Sequence, residues 1–511
     1  MALRLVPPQP SDQQQDSASD PGDSPEPCFD DTSSVCSQSS ASHPPCSAAG
    51  PVGGHDFFLQ HHQHHHNHRN HRNHHHHHQH DSICITPQDM AILKVIGSSE
   101  SCLVNCQSQD HHGTKRLPAG TKPVKLVGEG SANAVFEIKV PQRDRAGWDF
   151  KGLLLRVAKV PSLGAPPTYN YLLQQKFLQT AIKPILGDHV VHQELVVLHK
   201  SGIVRELNSL LRDINPSRKD KFKGTFVGET EWGFLVEDMR PQDSDTCVLV
   251  EFKPKWLSQS PSAPKDAVRC RQCAMELRNL VKDLSKNKAS PETKPCPLAL
   301  MSPDCPWQVS CPFRIAPHLA DKGNHEFYLE ALRRVINHPA IHELKAQQDA
   351  HDTLGPLHAM PSDPFFALAM TLRDCTCFAQ IDKNSQSVRI RLSDFDWKDP
   401  QVKFERWRSV EEELVKSGFY TAERIFCDSS FYRPPTLCLL EHGPAASTKQ
   451  PEVIEIVDRR CAPSHGGCSN ELQLQAPKGT KTYTYSTHVS PLKQLLEPYK
   501  LQAPSQIKYE A

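Results

Sequence analysis

Apolar positions change their period along this chain. Up to about residue 260 they fall in short runs closed by glycine, proline or charge, the pattern of β-strands rather than of amphipathic helices. Lys125-Leu-Val-Gly128-Glu-Gly130-Ser-Ala-Asn133-Ala-Val-Phe136 reads as strand, glycine turn, strand. Leu153-Leu-Leu-Arg156-Val-Ala-Lys159, Trp232-Gly-Phe-Leu-Val-Glu237 and Thr246-Cys-Val-Leu-Val250 read as further strands. Beyond them helical spacing dominates at 325–337, 364–372 and 404–417, with an alternating strand from Val388 towards Asp394 and a strand-like run at 452–457. The pattern predicts an α+β protein of two lobes with a cleft between them. The first lobe, mainly antiparallel sheet, is expected over 86–240, and a larger α/β lobe over 241–433.

Composition marks what lies outside these lobes. Residues 1–85 are rich in Pro, Ser, Asp, Gln and His and poor in large apolar side chains, so they are expected to be disordered. Positions 61–80 hold 13 of the 29 histidines. Such a tract binds Zn²⁺ or Ni²⁺ loosely through neutral imidazoles, although a low-complexity insertion without function is the simpler reading. Met90 offers an alternative start. The stretch 287–312 is Pro-rich and reads as irregular loop, and 434–511 reads as a poorly ordered tail.

Charge and cysteine usage narrow the class. Lys plus Arg and Asp plus Glu both number 58, so nothing pulls the whole molecule towards nucleic acid. No signal peptide and no membrane-length apolar run are evident, and the 18 cysteines then point to reduced intracellular thiols. Cys270-x-x-Cys273 has the spacing of half a zinc site, with Cys296, Cys305 or Cys311 as partners. Each of those three precedes a proline and lacks a second C-x-x-C, so free thiols in a packed segment are expected.

The chemistry concentrates in a few motifs. Glu251-Phe-Lys253-Pro-Lys255 follows an apolar strand, and alternation sets one acid and two cations on one face, which suits a polyanion; an edge strand with a solvated charged face is the alternative. Gly128 and Gly130, with small Ser131 and Ala132, let backbone amides approach a phosphate, and Arg156 and Lys159 follow on the next strand. Glycine loop, strand, then cation is the order of a kinase-type nucleotide lobe; no Gly-Lys-Ser/Thr follows, which excludes a Walker A loop. By its order in the chain, Glu237-Asp238 before Pro241 stands where kinase-like folds place a hinge beside a nucleotide; a strand leaving the sheet into a turn fits the same residues equally well. Downstream, Arg373-Asp374-Cys375 supplies a carboxylate able to take a proton, and Asp394-Phe-Asp396 a pair able to hold a hard cation such as Mg²⁺. Cys375 beside that acid raises the question of oxidation sensitivity.

In order and approximate spacing these residues resemble the inositol-pentakisphosphate 2-kinases, most closely the fungal members. The likeness rests on Gly128-Glu129-Gly130-Ser131-Ala132-Asn133, Glu251-Phe-Lys253-Pro-Lys255, Cys270-Arg-Gln-Cys273, Pro297-Leu-Ala-Leu, Arg373-Asp374-Cys375 and Asp394-Phe-Asp396, and covers roughly residues 120–430. It implies a two-lobed kinase-like fold and transfer of the ATP γ-phosphate to the 2-hydroxyl of inositol 1,3,4,5,6-pentakisphosphate, with Mg²⁺. It further implies that Gly128 to Asn133, Arg156, Asp238 and Glu251 serve the nucleotide, and that Lys253, Lys255, Lys282 and Lys398 hold the inositol phosphate. Asp374 would be the proton acceptor, with Lys253 beside it, and Asp394 with Asp396 the metal ligands. Beyond Lys398 the pattern departs from plant and animal members, and Lys403, Arg406 and Arg408 are candidates on what reads as a solvated helix face. The Cys/His zinc site of plant members is not expected, because His338, His342, His351 and His358 have no C-x-x-C among them. The resemblance implies a nuclear or cytoplasmic location, and a monomer is expected. Two alternatives from other classes are a non-catalytic inositol-phosphate binder and another small-molecule kinase; the latter lacks its H-x-D-x-x-x-x-N loop here.

Overall fold

The computed structural model describes residues 114–141, 149–282, 291–302, 312–442, 451–458, 481–485 and 489–501. Residues 1–85 with their histidine tract, and Cys305 and Cys311, lie outside the described residues.

Strands β1 (Lys115–Arg116), β2 (Lys122–Glu129), β3 (Asn133–Lys139), β4 (Leu153–Val160), β5 (Gln193–Val197), β6 (Phe226–Val227) and β7 (Trp232–Glu237) form the first sheet. Its order is β1-β5-β7-β4-β3-β2, with β6 against the end of β4; β1 and β5 are parallel and the other pairs antiparallel. β4 is apolar without alternation because both of its faces are covered. Leu155 and Val157 pack with Leu207 and Leu211, while Leu154 and Ala158 pack with Tyr171 and Phe234 on the other side. Among the described residues, three α-helices belong to this part of the chain. α1 (Tyr171–Phe177) runs through the π-type turn Leu178–Ile182 into α2 (Lys183–Leu186), and α3 (Ile203–Asp213) carries Leu207 and Leu211.

The second sheet is the antiparallel trio β8 (Cys247–Phe252), β9 (Thr376–Asp382) and β10 (Val388–Ser393), with β9 in the middle. A third sheet runs β12-β11-β13-β14, from β11 (Arg424–Cys427), β12 (Ser430–Tyr432), β13 (Val453–Asp458) and β14 (Lys481–Tyr485). The further α-helices among the described residues are α4 (Arg271–Lys282), α5 (Pro297–Leu300), α6 (His325–Ile336), α7 (Pro339–His351), α8 (Pro364–Leu372), α9 (Pro400–Lys416) and α10 (Val489–Leu496). The largest core unites β8, β9 and β10 with α6, α7 and α8 through Val250, Ile381, Leu392, Leu332, Leu344 and Leu368.

Two expectations are corrected here. The tail was expected to be poorly ordered, yet β13 and α10 bury Ile454, Ile456, Leu492 and Leu496 against Leu414, Tyr420 and Ile425. The strands expected from Val388 and at 452–457 are present as β10 and β13, and the second sheet adds β9, which was not expected, between β8 and β10. The helix expected at 404–417 begins earlier, at Pro400, since Asp399 accepts a hydrogen bond from Gln401 N and proline suits the first helical position.

Candidate active site

The site is created by strand register. Phe252 pairs with Cys377, and Ser393 pairs with Thr376, so the C-terminal ends of β8 and β10 flank the N-terminal end of β9. Lys253, Asp374 and Asp394 lie one or two residues beyond those strand ends, and so meet at one edge of the sheet. Lys253 Nζ donates to the Asp374 carbonyl oxygen at 2.6 Å and to Asp394 Oδ2 at 3.0 Å, and lies 3.4 Å from Asp374 Oδ1. Lys255 Nζ donates to Asp374 Oδ1 at 3.2 Å, and Lys398 Nζ to Asp374 Oδ2 at 2.5 Å. One carboxylate is thus held by three lysines. Burial alone would raise the Asp374 pKa, but Lys398, Lys255 and Lys253 outweigh it and hold the carboxyl well below the usual range. For Lys255 burial wins, and its pKa falls below the ordinary lysine value despite Asp374.

The expected pleat does not produce this convergence. β8 ends at Phe252, and Lys255 reaches Asp374 through a left-handed backbone, φ +61°, rather than by alternation along a strand. Asp394 is likewise left-handed at φ +68°, which separates it from Asp396. Non-glycine residues in this region carry backbone strain, and here two of them border one site. Glu251 remains in β8, and burial raises its pKa.

Asp396 ties this edge to the first sheet. Its Oδ2 accepts from Arg156 at 2.6 Å and from Asn133 at 3.1 Å, and its Oδ1 from the Tyr169 hydroxyl at 2.7 Å. Arg156 also donates to Gln193 Oε1 at 3.2 Å and lies 3.7 Å from Asp394 Oδ1. The expected nucleotide residues Asn133 and Arg156 therefore stand against the expected metal pair. Asp394, 46% exposed at its side chain, is the more open carboxylate, whereas Asp396 is occupied by three donors.

The glycine turn has room in front of it. A Cβ added at Gly128 would meet no atom within 4 Å, so neither packing nor a positive φ requires glycine there. The turn itself is closed by Gly130 N donating to Asn133 O at 2.9 Å. An open backbone between Glu129 and Asn133 is the cradle that a phosphate group needs. Glu129 was expected to serve a nucleotide, but its side chain turns inward to Lys159 at 2.8 Å and to Arg218. A carboxylate beside phosphate would repel it; buried between two cations it fixes the turn instead. Ser131 and Ala132 lie in the turn, and Ala132 O accepts from Lys159 N at 2.8 Å.

Two other expected residues bond elsewhere. The Asp238 side chain pairs with Arg240, which also reaches Glu137, while Asp238 N donates to Gly152 O at 2.9 Å. Lys282 lies at the C-terminal end of α4, 4.0 Å from Glu413, and none of its described contacts reaches Asp374. Arg408 pairs with Glu412 one helical turn away, as a solvated face predicts. Cys375 is buried and its thiol is pushed up to about 12, so it is held as an unreactive thiol. Tyr169, Gln193 and Gln348 were missed. Each is a lone polar side chain whose role comes only from a distant partner, and no spacing in the sequence marks it.

The comparisons with known proteins decide the family. A family profile described as inositol-pentakisphosphate 2-kinase matches residues 127–309 and 314–413. The chain belongs to the inositol-pentakisphosphate 2-kinase family. It is accordingly a kinase, and the matched residues take in the glycine turn, Lys253, Lys255, Asp374, Asp394 and Lys398. It is similar to the Yarrowia lipolytica inositol-pentakisphosphate 2-kinase, with 26% identity over 347 residues, 64% of this chain and 99% of that protein. It is also similar to those of Eremothecium gossypii, 24% identical over 57% of this chain and 96% of that protein, and Candida glabrata, 25% over 57% and 98%.

Proposed function

We propose that the protein transfers the γ-phosphate of ATP to the 2-hydroxyl of inositol 1,3,4,5,6-pentakisphosphate, giving inositol hexakisphosphate and ADP, in a two-lobed kinase-like cleft. The observation that carries this reading is Asp374 gripped by Lys253, Lys255 and Lys398 at the end of the second sheet. Three lysines around one carboxylate suit an acceptor bearing many phosphates, because the cations can turn from Asp374 to phosphate oxygens when it binds. That exchange also frees the base. A carboxylate held by three ammonium groups is a weak proton acceptor, and its basicity rises as the substrate draws them away. Asp374 then takes the proton of the attacking hydroxyl. Lys253 spans Asp374 and Asp394 and so stands between acceptor and phosphoryl group.

The donor set fits both ATP and Mg²⁺. The open backbone at Gly128 suits nucleotide phosphates, and Arg156 lies between it and the acids. The half-open Asp394 carboxylate suits a hard cation completed by phosphate oxygens and water, whereas Asp396 orients Arg156. When bound, Mg²⁺ would neutralise charge on the transferring phosphoryl group.

Incubation of the full chain with Mg-ATP and the pentakisphosphate, with products resolved by anion exchange, tests the reading. A hexakisphosphate peak is expected. In Asp374→Asn turnover should fall by about 10²–10⁴-fold with calorimetric binding of the pentakisphosphate retained, the range for loss of a general base. Unchanged turnover would remove Asp374 from the chemistry, and tight binding without product in the native chain would leave a binding protein.

A further inference from the structure

Trp256 follows Lys255 in the chain and Arg373 precedes Asp374, and the side chains of these two neighbours are stacked on each other. The Arg373 guanidinium lies 3.6 Å from the centre of the Trp256 ring, and a second guanidinium, that of Arg271, lies 4.2 Å from it. All three residues are buried. Lys255 Nζ and Asp374 Oδ1 meet at 3.2 Å, so the same two segments are joined a second time one residue back from the site.

The charges do not require this stack. Arg373 pairs with buried Asp352 at 2.5 Å, and Arg271 Nε donates to Glu411 Oε2 at 2.7 Å. Glu411 is itself fixed by Ser260 Oγ at 2.8 Å and by the Tyr420 hydroxyl at 2.6 Å. A lysine at 373 would serve Asp352 as a counter-ion; what the guanidinium adds is a flat face that lies over an indole. Its Nε is buried and meets no hydrogen-bond acceptor, so that face, and not a further bond, accounts for its placement.

The indole also reaches the helix that carries Asp374. Trp256 shares a core with Phe366 and Met370 of α8, and Phe366, Met370 and Arg373 fall at i, i+4 and i+7, one face of that helix and its cap. Gln348 bonds Lys255 O and Leu257 N, the backbone on either side of Trp256. The left-handed backbone of Lys255, φ +61°, needs such anchoring. The amide holds the turn, and the indole sets it against α8. An ordinary core tryptophan could give way to another apolar side chain, whereas this one links two site residues through their chain neighbours.

We propose that Trp256 is a positioning residue of the transfer reaction: stacked on Arg373, it sets where the Lys255 ammonium stands relative to the Asp374 carboxylate, and acts on the acceptor through Lys255 without touching it. The inference deepens the proposed function and rests on Lys255 holding a phosphate of the acceptor.

The test is a double-mutant cycle in the full chain, with kcat and the KM values for the pentakisphosphate and for Mg-ATP measured well below each variant's melting temperature. In Trp256→Leu the pentakisphosphate KM should rise about tenfold while the ATP KM stays within about twofold. Trp256→Phe, which keeps an aromatic face for Arg373, should recover most of the loss. In a Lys255→Ala background Trp256→Leu should add no more than about a further twofold, because the residue through which it acts is gone. Ile454→Ala, a buried change in the third sheet, should lower the melting temperature and leave both KM values at their native level. Multiplicative effects in the double variant, equal rises in both KM values, or a Trp256→Phe as impaired as Trp256→Leu would each overturn the proposal. If Trp256→Leu does not fold, Arg373→Lys, which keeps the charge for Asp352 and removes the flat face, takes its place in the cycle with the same non-additivity expected. A native chain that forms no hexakisphosphate would sink the proposed function instead, and the cycle is then read from calorimetric dissociation constants for the pentakisphosphate. A native chain that binds none would overturn both.

Discussion

At Lys255 local strain and function coincide. Its left-handed backbone is clamped by Gln348, whose amide donates to Lys255 O at 2.9 Å and accepts from Leu257 N at 3.1 Å. A strained non-glycine residue costs about 1–3 kcal/mol, and the buried amide that over-determines the turn holds the lysine at Asp374. Replacing Lys255 by alanine removes a charge-assisted bond of about 1.5–3 kcal/mol to whichever anion it holds. Steady-state kinetics should therefore show the KM for the inositol polyphosphate raised about 10–100-fold with the nucleotide KM nearly unchanged. Lys255→Gly, which relieves the strain but also lacks the cation, should behave like Lys255→Ala. Equal rises in both KM values would mean that the residue supports the fold rather than the acceptor.

At the scale of elements, α8 delivers Asp374 through a buried ion pair. Arg373, at the C-terminal end of that helix, pairs with buried Asp352 at 2.5 Å, and its guanidinium lies 3.6 Å from the centre of the Trp256 ring, over which Arg271 also lies. Burial pulls the Arg373 pKa down in spite of Asp352. Removing one partner of such a pair leaves a charge without solvent or counter-ion. Asp352→Ala is expected to destabilise the protein by about 3–5 kcal/mol, read from urea unfolding, and adding Arg373→Met should recover much of the loss. A double variant as unstable as the single one would show that packing around Asp352, not its charge, is what matters.

Over the whole molecule, the tail belongs to the fold. Ile454 is fully buried in β13, between β11 and β14, and shares a core with Phe419, Tyr420 and Leu496. Ile454→Ala should cost about 2–5 kcal/mol and lower the melting temperature of the entire second half; a silent substitution would return the tail to the status of an appendage. Acid should act through the site. Asp374 is held below the ordinary carboxylate range, so its pairing stabilises the fold fully above an unfolded value of about 4 and loses that contribution as the pH falls towards the folded value. In thermal melts, Asp374→Asn should lie below the native protein near pH 7, with the gap closing below about pH 4. A gap independent of pH would mean that the carboxylate charge does not stabilise the site.

The sequence by itself determined the local elements and the chemical inventory. α8 was legible because Asp363 caps an apolar run begun by Pro364, and β4 because Leu153 to Leu155 and Val157-Ala158 form an apolar run broken only by Arg156. The acids and lysines were legible because charged residues beside buried strands are seldom idle. Only the tertiary structure decided which of them meet. Lys253, Asp374 and Asp394 are neighbours through the register of three strands spread over more than a hundred residues. Glu129 turns inward because Arg218 and Lys159 meet it there, and Cys438 joins Cys270 only after the chain has folded back. Propensity and periodicity act over a few residues, whereas pairing across a sheet or a core is settled by burial and long-range contact, which no window of the sequence contains.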